Sequence, residues 1–305
     1  MDTLVRGSSA DGGIRIFCAV TTELVNEAHK IHGTYPVATA ALGRLLTAAA
    51  LMGANLKNEN DSITLQIRGD GPLGALTAVA DSRSRVRGCV DNPLVERPLN
   101  AQGKLDVGGG VGQGTLSVIT DLGLKEPYIG QVPLVSGEIA EDLTTYFAAS
   151  EQIPTAVALG VLVDTDNSAI AAGGFIVQMM PGSTDEMAEK LEKTLNSLPS
   201  VTSMIHGGMS AEDMLFKVCD GFDMIMDNNA VHPKYECKCS RERMAAALVS
   251  LGPKELEELI EDQGRAELVC HFCNSKYEFS RAELEELLSM AKLRSNGSGD
   301  GQNET

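Results

Sequence analysis

The chain has 305 residues, a formal net charge of −17, few aromatic residues and no Trp. This length allows two domains and a large core, while the negative charge repels phosphate backbones and anionic membranes. We therefore expect neither a nucleic acid nor a membrane as a partner. The N-terminus lacks the apolar core of a secretory signal, and the longest apolar run, near residues 45–54, is too short to span a bilayer. These features predict a cytoplasmic protein.

The first 181 residues predict an α+β domain with a largely antiparallel sheet and packed helices. An Ala- and Leu-rich segment from Pro36 to Leu56 predicts a helix, because Pro suits the first turn. Elsewhere, β-branched or alternating apolar residues bounded by turn residues predict strands. These strands are expected at 14–20, 62–81 (two strands around a Gly-Asp-Gly-Pro turn), 156–163 and 169–179. Strands joined by turns, with a few helices, indicate this fold class.

A glycine-rich run, GGGVGQG, spans residues 108–114. Such a run can bind phosphate where it follows a strand and opens a helix, but this one leads into a segment that is typical of a strand. No nucleotide-binding motif fits its spacing. We interpret it as a turn or bulge before a strand.

The composition changes after residue 181, where a methionine-rich segment of residues 182–231 begins. Ser183 and Glu186 form a capping-box pattern that predicts the start of a helix. Eight of the twelve methionines lie between Met179 and Met226. Methionine adapts to varied partners, but it is also a common filler of cores. The segment is therefore either a binding surface or part of a core.

Two close cysteine pairs near the C-terminus carry the strongest functional signal. A C-x-C motif at Cys237 and Cys239 is followed, after thirty residues, by a C-x-x-C motif at Cys270 and Cys273. Four thiolates in two such pairs make a closed tetrahedral site that is typical of zinc. In a reducing compartment, paired cysteines bind metal or act in redox chemistry more often than they form structural disulfides. We predict that all four cysteines bind one zinc ion.

Residues 232–292 form the expected metal-binding domain, and residues 293–305, rich in Gly, Ser and Asn, are expected to be a disordered tail. A domain of about sixty residues has a marginal core, to which structural zinc adds on the order of 10 kcal/mol of folding free energy.

The spacing of the first cysteine pair favours a redox role. A disulfide between cysteines two residues apart is strained, and strained disulfides tend to be labile and regulatory. The pattern favours a redox switch in which the C-x-x-C pair oxidises first.

Other chemistries fit the cysteines less well. A thioredoxin-like enzyme needs its C-x-x-C at a helix N-terminus, but Cys270 and Cys273 lie in a hairpin pattern. A c-type haem needs His directly after the second cysteine, where Asn274 stands. A zinc ribbon that binds nucleic acid should be basic, yet residues 232–292 carry more acidic than basic side chains. Four cysteines could also hold an iron–sulfur cluster, so that alternative remains. A constitutive zinc-binding adaptor protein, in which the metal is purely structural, is the other remaining alternative.

Taken together, the motifs resemble those of the 33 kDa chaperonin family, the redox-regulated heat-shock chaperones of bacteria. The shared motifs are both cysteine pairs with their spacer, HGTYPVATAALGRLLTAAALM at 32–52, GDGPLG at 69–74, GGGVGQGTLSVITDLG at 108–123, SEQIPTA at 150–156 and AAGGFIVQMMPG at 171–182. The resemblance covers residues 1–292. It implies a holdase chaperone rather than an enzyme, with an N-terminal α+β domain (1–181), a helical linker (182–231) and a C-terminal zinc-binding redox switch (232–292).

The resemblance also implies a mechanism in which the reduced, zinc-bound form is inactive. Peroxide with heat, or hypochlorous acid, would form the disulfides Cys237–Cys239 and Cys270–Cys273 and release the zinc. The switch and the linker would then unfold, and a dimer would hold unfolding client proteins without ATP. The linker becomes the expected client-binding surface, with the candidate residues Met187, Leu191, Leu195, Met204, Met214 and Met224.

Overall fold

A computed structural model of the chain describes residues 1–227 and 229–297, the last three by their backbone alone. The chain divides into two compact units, Met1–Glu236 and Cys237–Thr305. The first unit contains two β-sheets and several helices, and the second contains a two-stranded hairpin and helices. The predicted α+β class with a largely antiparallel sheet is confirmed.

The first unit contains the strands β1 (Thr3–Ser9), β2 (Ile14–Val20), β3 (Ser62–Gly69), β4 (Ala75–Asp81), β5 (Arg85–Val90), β6 (Gly114–Asp121), β7 (Tyr128–Pro133), β8 (Thr155–Val163), β9 (Ala169–Met179), β10 (Met224–Met226) and β11 (Lys234–Tyr235). They form an antiparallel five-stranded sheet in the order β10-β1-β2-β9-β8 and a six-stranded sheet in the order β11-β5-β4-β3-β6-β7. The six-stranded sheet is antiparallel except that β11 pairs in parallel with β5. Every strand predicted from the sequence is present.

The helices of the first unit are α1 (Thr22–His32), α2 (Pro36–Gly53), α3 (Val107–Val111), α4 (Ala140–Tyr146), α5 (Asp185–Ser197), α6 (Val201–His206) and α7 (Ala211–Val218), with a π-helical turn at Phe147–Glu151. The predicted helix at Pro36 is confirmed, although it ends at Gly53 rather than Leu56. It packs against strands of both sheets. Among the described residues, α2 alone is long and apolar enough to cross a membrane, and 83% of that stretch is buried in the unit. The sequence suggested a shorter apolar run near residues 45–54. The apolar part of α2 is longer than that run, because the first turns of the helix are apolar too.

The glycine-rich run differs from its prediction, because residues 107–111 form the short helix α3 rather than a turn or bulge. The Asp106 carboxylate caps this helix by accepting a hydrogen bond of 3.0 Å from the Gly109 amide. The Arg97 guanidinium pairs with the same carboxylate at 2.5 Å. A side chain at Gly69 would collide with the carbonyl group of Val111, so the close approach of β3 and α3 requires glycine.

The helices α5, α6 and α7 pack against one face of the five-stranded sheet. Their apolar side chains form a core cluster with alternate residues of β2 and β9. Thr184, rather than Ser183, caps α5 by accepting a hydrogen bond from the Met187 amide. The division into compact units therefore keeps residues 182–231 with the first unit.

The second unit contains α8 (Arg241–Leu251), α9 (Pro253–Asp262), β12 (Arg265–Val269), β13 (Lys276–Ser280) and α10 (Arg281–Gly297). The strands form an antiparallel hairpin, and the helices cover a small core that includes Leu256, Phe279 and Leu284. The disordered tail expected at 293–305 does not begin at residue 293, because α10 continues to Gly297. Residues 298–305 lie outside the described residues.

Candidate metal centre

Four sulfur atoms converge in the second unit. The Cys237 sulfur lies 3.7 Å from that of Cys270, and the Cys239 sulfur lies 3.3 Å from that of Cys273. All four sulfur atoms lie within 4.8 Å of one another. Four sulfurs arranged tetrahedrally, each about 2.3 Å from a zinc ion, would lie roughly 3.8 Å apart. The observed spacing therefore fits a single tetrahedral ion bound by all four cysteines.

The first cysteine pair lies in the segment that leads into α8. Ser240 caps this helix, since its hydroxyl accepts a hydrogen bond of 3.3 Å from the Arg243 amide. The Arg243 guanidinium in turn donates a hydrogen bond of 2.8 Å to the carbonyl oxygen of Lys238. These bonds hold the loop between Cys237 and Cys239 against the first turn of α8.

The second cysteine pair lies at the turn of the β12–β13 hairpin. The Cys270 carbonyl accepts hydrogen bonds from the amides of Asn274 at 2.8 Å and Cys273 at 3.3 Å, and the Cys270 amide donates to the Ser275 carbonyl at 2.9 Å. Asn274 has a φ of 56°, a left-handed conformation that Asn tolerates better than most residues. The turn therefore holds Cys270 and Cys273 at a fixed spacing.

Arg241 connects the two halves of the site. Its guanidinium donates a hydrogen bond of 2.8 Å to the Glu278 carbonyl and pairs with the Glu283 carboxylate at 2.5 Å. It also lies 4.5 Å from the centre of the Phe279 ring, in a cation–π contact. Arg241 begins α8, whereas Glu278 and Phe279 belong to β13. These contacts hold the segment of the first cysteine pair beside the hairpin that carries the second.

Two hydroxyl groups contact the sulfurs, and the sequence analysis did not predict these contacts. The Tyr277 hydroxyl lies 3.1 Å from the Cys239 sulfur, and the Ser275 hydroxyl lies 3.2 Å from the Cys273 sulfur. When the sulfur is a thiolate, the hydroxyl is the donor. The hydrogen bond with Cys239 raises the pKa of Tyr277 to about 12. Both residues follow the C-x-x-C motif closely, but only the hairpin turn and its register bring their hydroxyl groups to the sulfurs.

The thiol groups differ in how readily they ionise. Burial raises the pKa values of the Cys237 and Cys270 thiols. Burial also opposes ionisation of Cys273, but hydrogen bonds from the Ser275 hydroxyl and amide and from neighbouring thiols outweigh it and lower its pKa to about 7. A metal binds thiolates, so a bound cation replaces the protons that burial otherwise retains.

The six candidate client-binding side chains lie in the core cluster between the sheet and α5–α7. Leu191, Met204 and Met214 are buried there. Partly buried members of the same cluster include Met187, Leu195 and Met224. In this conformation all six side chains contribute to a core, and three of them keep part of their surface exposed to solvent.

Comparison with known proteins places this arrangement in a family. A family model described as Hsp33 protein matches residues 2–280. The chain belongs to the Hsp33 family. The family suggested by the motifs is thus confirmed, and with it the assignment to a chaperone family.

Similar members of the Hsp33 family cover nearly the whole chain. The 33 kDa chaperonin of Clostridium beijerinckii is 50% identical over 293 residues, which span 95% of this chain and 99% of the relative. That of Ruminiclostridium cellulolyticum is 52% identical over 287 residues, which span 94% of this chain and 98% of the relative. The crystal structure of the Hsp33 homologue from Thermotoga maritima aligns with a TM-score of 0.87 at 43% identity, over 96% of this chain and 99% of that one.

Proposed function

We propose that this member of the Hsp33 family is a redox-regulated, ATP-independent holdase that is inactive while it is reduced and zinc-bound. Cys237, Cys239, Cys270 and Cys273 bind the zinc as thiolates. The convergence of four sulfurs within 4.8 Å of one another carries the proposal. Sulfurs at this spacing leave room for one ion, whereas an iron–sulfur cluster would hold them on separate irons and farther apart.

Oxidation supplies the switch in this proposal. Each pair of thiolates, Cys237–Cys239 and Cys270–Cys273, loses two electrons to a peroxide molecule and forms one disulfide. The peroxide takes up those electrons and two protons and leaves as two molecules of water. Sulfurs bonded in pairs no longer bind zinc, so the second unit loses on the order of 10 kcal/mol of folding free energy. The nine buried side chains in the described part of this unit form a core that is too small to compensate.

Residues 182–231 supply the client-binding surface. Their buried side chains, among them Leu191, Met204 and Met214, are covered in the described conformation. Once the oxidised second unit unfolds, α5–α7 separate from the sheet and expose a contiguous apolar surface, which is what binds unfolding proteins. Methionine side chains adapt to varied clients. The proposed partners are unfolding proteins and, in the oxidised form, a second copy of the chain. The proposed location is the cytoplasm.

Zinc content and client aggregation, measured on the same samples, test the proposal. The reduced protein should bind one zinc per chain and leave a thermally unfolding client to aggregate, while protein treated with peroxide and heat should release zinc and suppress aggregation. Cys270→Ser should lower the zinc content, and Cys89→Ser, in the first unit, should not. Full zinc content in Cys270→Ser would contradict the four-thiolate site. Zinc release without suppression of aggregation would favour a constitutive zinc-binding protein.

Hydrogen exchange locates the client surface. In oxidised, active protein, protection should fall across residues 183–291, while β3 and β4 stay protected. Full protection of residues 183–230 in the active protein would contradict the linker as the client surface and favour the remainder of the first unit.

A further inference from the structure

A cavity of about 420 Å³ lies between the two sheets of the first unit. Phe17 and Ile176 line it from the five-stranded sheet, Ile63 and Val118 from the six-stranded sheet, and Phe147 from the π-helical turn. Its volume falls within the range of about 300–1,000 Å³ that is typical of small-molecule sites. The redox switch and the linker surface proposed above do not use this cavity.

The rim of the cavity includes several exposed apolar side chains. It includes Leu124, in the connection between β6 and β7, which is 70% exposed, and Tyr128, the first residue of β7, which is 66% exposed. Leu122 lies in the same connection and is also exposed. Apolar side chains that surround an opening mark a route for an apolar ligand.

Arg15 is the only cationic side chain that lines the cavity among the described residues. Its guanidinium donates hydrogen bonds to the Gln178 side-chain oxygen at 2.8 and 3.1 Å and to the Asn55 side-chain oxygen at 3.3 Å. It lies 5.7 Å from the centre of the Phe17 ring. Arg15 forms no ion pair within the part of the chain that the structure describes. Its three N–H groups that contact amides leave two of the five guanidinium donors for a ligand.

The electrostatics of the cavity favour an anion at Arg15. Burial lowers the pKa of Arg15, which reflects the cost of holding its charge partly out of water without a carboxylate beside it. Two carboxylates also line the cavity, but Glu126 and Glu151 are exposed at its rim. Glu151 already accepts a hydrogen bond of 2.5 Å from the Tyr146 hydroxyl. Because water screens exposed charges, these two affect a ligand less than the half-buried Arg15 does.

We propose that this cavity binds a small amphiphile with a single carboxylate, such as a medium-chain fatty acid. The carboxylate accepts hydrogen bonds from the two remaining N–H groups of Arg15, and the hydrocarbon chain lies between the sheets against Val118, Phe147 and Ile176. Arginine suits this role because its planar guanidinium matches a carboxylate. A neutral amphiphile would leave the Arg15 charge unpaired.

Calorimetric titration of the full-length, reduced, zinc-loaded protein with dodecanoate, below its micelle concentration, tests the proposal. We expect one site per chain. Arg15→Gln should weaken dodecanoate binding about tenfold and leave the binding of dodecanol unchanged. Arg68→Gln, at an exposed arginine on β3, is the matched control and should change neither. Ile153→Trp or Met52→Trp should fill the cavity and abolish binding of both probes, and thermal unfolding identifies which of the two variants folds.

Three outcomes would overturn the proposal. Equal weakening by Arg15→Gln and Arg68→Gln would show a general charge effect. Several dodecanoate molecules per chain, or undiminished binding to a folded cavity-filling variant, would place the ligand on the outer surface. Tighter binding of dodecyltrimethylammonium than of dodecanoate would show that Glu126 and Glu151 decide the charge of the ligand.

Discussion

The hydroxyl of Tyr277 lies 3.1 Å from the sulfur of Cys239, a residue 38 positions earlier in the chain. Tyr277 belongs to β13, whereas Cys239 precedes α8. A hydrogen bond to a thiolate stabilises its negative charge and reduces its nucleophilicity. We therefore expect Cys239 to react more slowly with oxidants than its exposure alone would suggest.

Tyr277→Phe removes this hydrogen bond and keeps the ring. We expect the variant to retain one zinc per chain, because the four thiolates remain, and to lose the Cys239 thiol to peroxide about fivefold faster, equivalent to about 1 kcal/mol. Alkylation of the remaining thiols followed by peptide mass spectrometry measures this rate. Tyr128→Phe, in the first unit, serves as the control. An unchanged rate at Cys239 would show that the hydroxyl has no protective role.

The two cysteine pairs should oxidise in a fixed order, with Cys270–Cys273 ahead of Cys237–Cys239. The C-x-x-C spacing suits a disulfide, and the hairpin turn already holds that pair with hydrogen bonds. The C-x-C disulfide demands a bent backbone and should also be the first to be reduced again. Peptide mapping during a peroxide time course checks both orders. Early accumulation of the 237–239 disulfide would contradict the strain argument.

Leu191→Gly should activate the chaperone without oxidation. Leu191 is 5% exposed in the cluster below α5, and truncation of such a leucine costs about 2–5 kcal/mol. Glycine in a helix interior costs about 1 kcal/mol more. Glu192→Gly, at the exposed neighbouring position, lowers stability only through the poor helix propensity of glycine and should leave the reduced protein inactive. The measurement is client aggregation with reduced protein of verified zinc content. Inactive, zinc-bound Leu191→Gly with an unfolded linker would contradict the assignment of the client surface.

Asp106→Asn should lower stability in a way that depends on pH. Hydrogen bonds from Arg97 and the Gly109 amide hold the pKa of Asp106 below its ordinary value of 3.8. Its contribution is therefore present above that pH and is lost as the pH falls below it. We expect a loss of about 1 kcal/mol in the free energy of unfolding at pH 7, which disappears as the pH falls through the lowered pKa of Asp106. Urea unfolding followed by circular dichroism measures it, with the exposed Asp220→Asn as the control. A difference that persists in acid would show that the carboxylate charge is not the cause.

The cluster of four cysteines could be predicted because its chemistry is local in the sequence. Each cysteine pair is set by a motif of three or four residues, and the thiolate itself selects a soft metal. The strands at 14–20 and 62–81 were predictable for a similar reason, since β-branched composition and alternation are read within a few residues. The glycine-rich run was misread because α3 depends on its Asp106 cap, on Arg97 and on the close approach of Gly69.

The amino-acid sequence alone was enough to predict the α+β class, the family and the four cysteines that form the site. Only the tertiary structure shows three further features. Met204 and Met214 lie in a core rather than on a surface, Tyr277 contacts Cys239, and Arg15 lines a cavity. Each of these depends on strand register and on packing between segments far apart in the chain. A shift of one residue in register turns a side chain to the opposite face of a sheet, so such contacts are fixed only once the strands have paired.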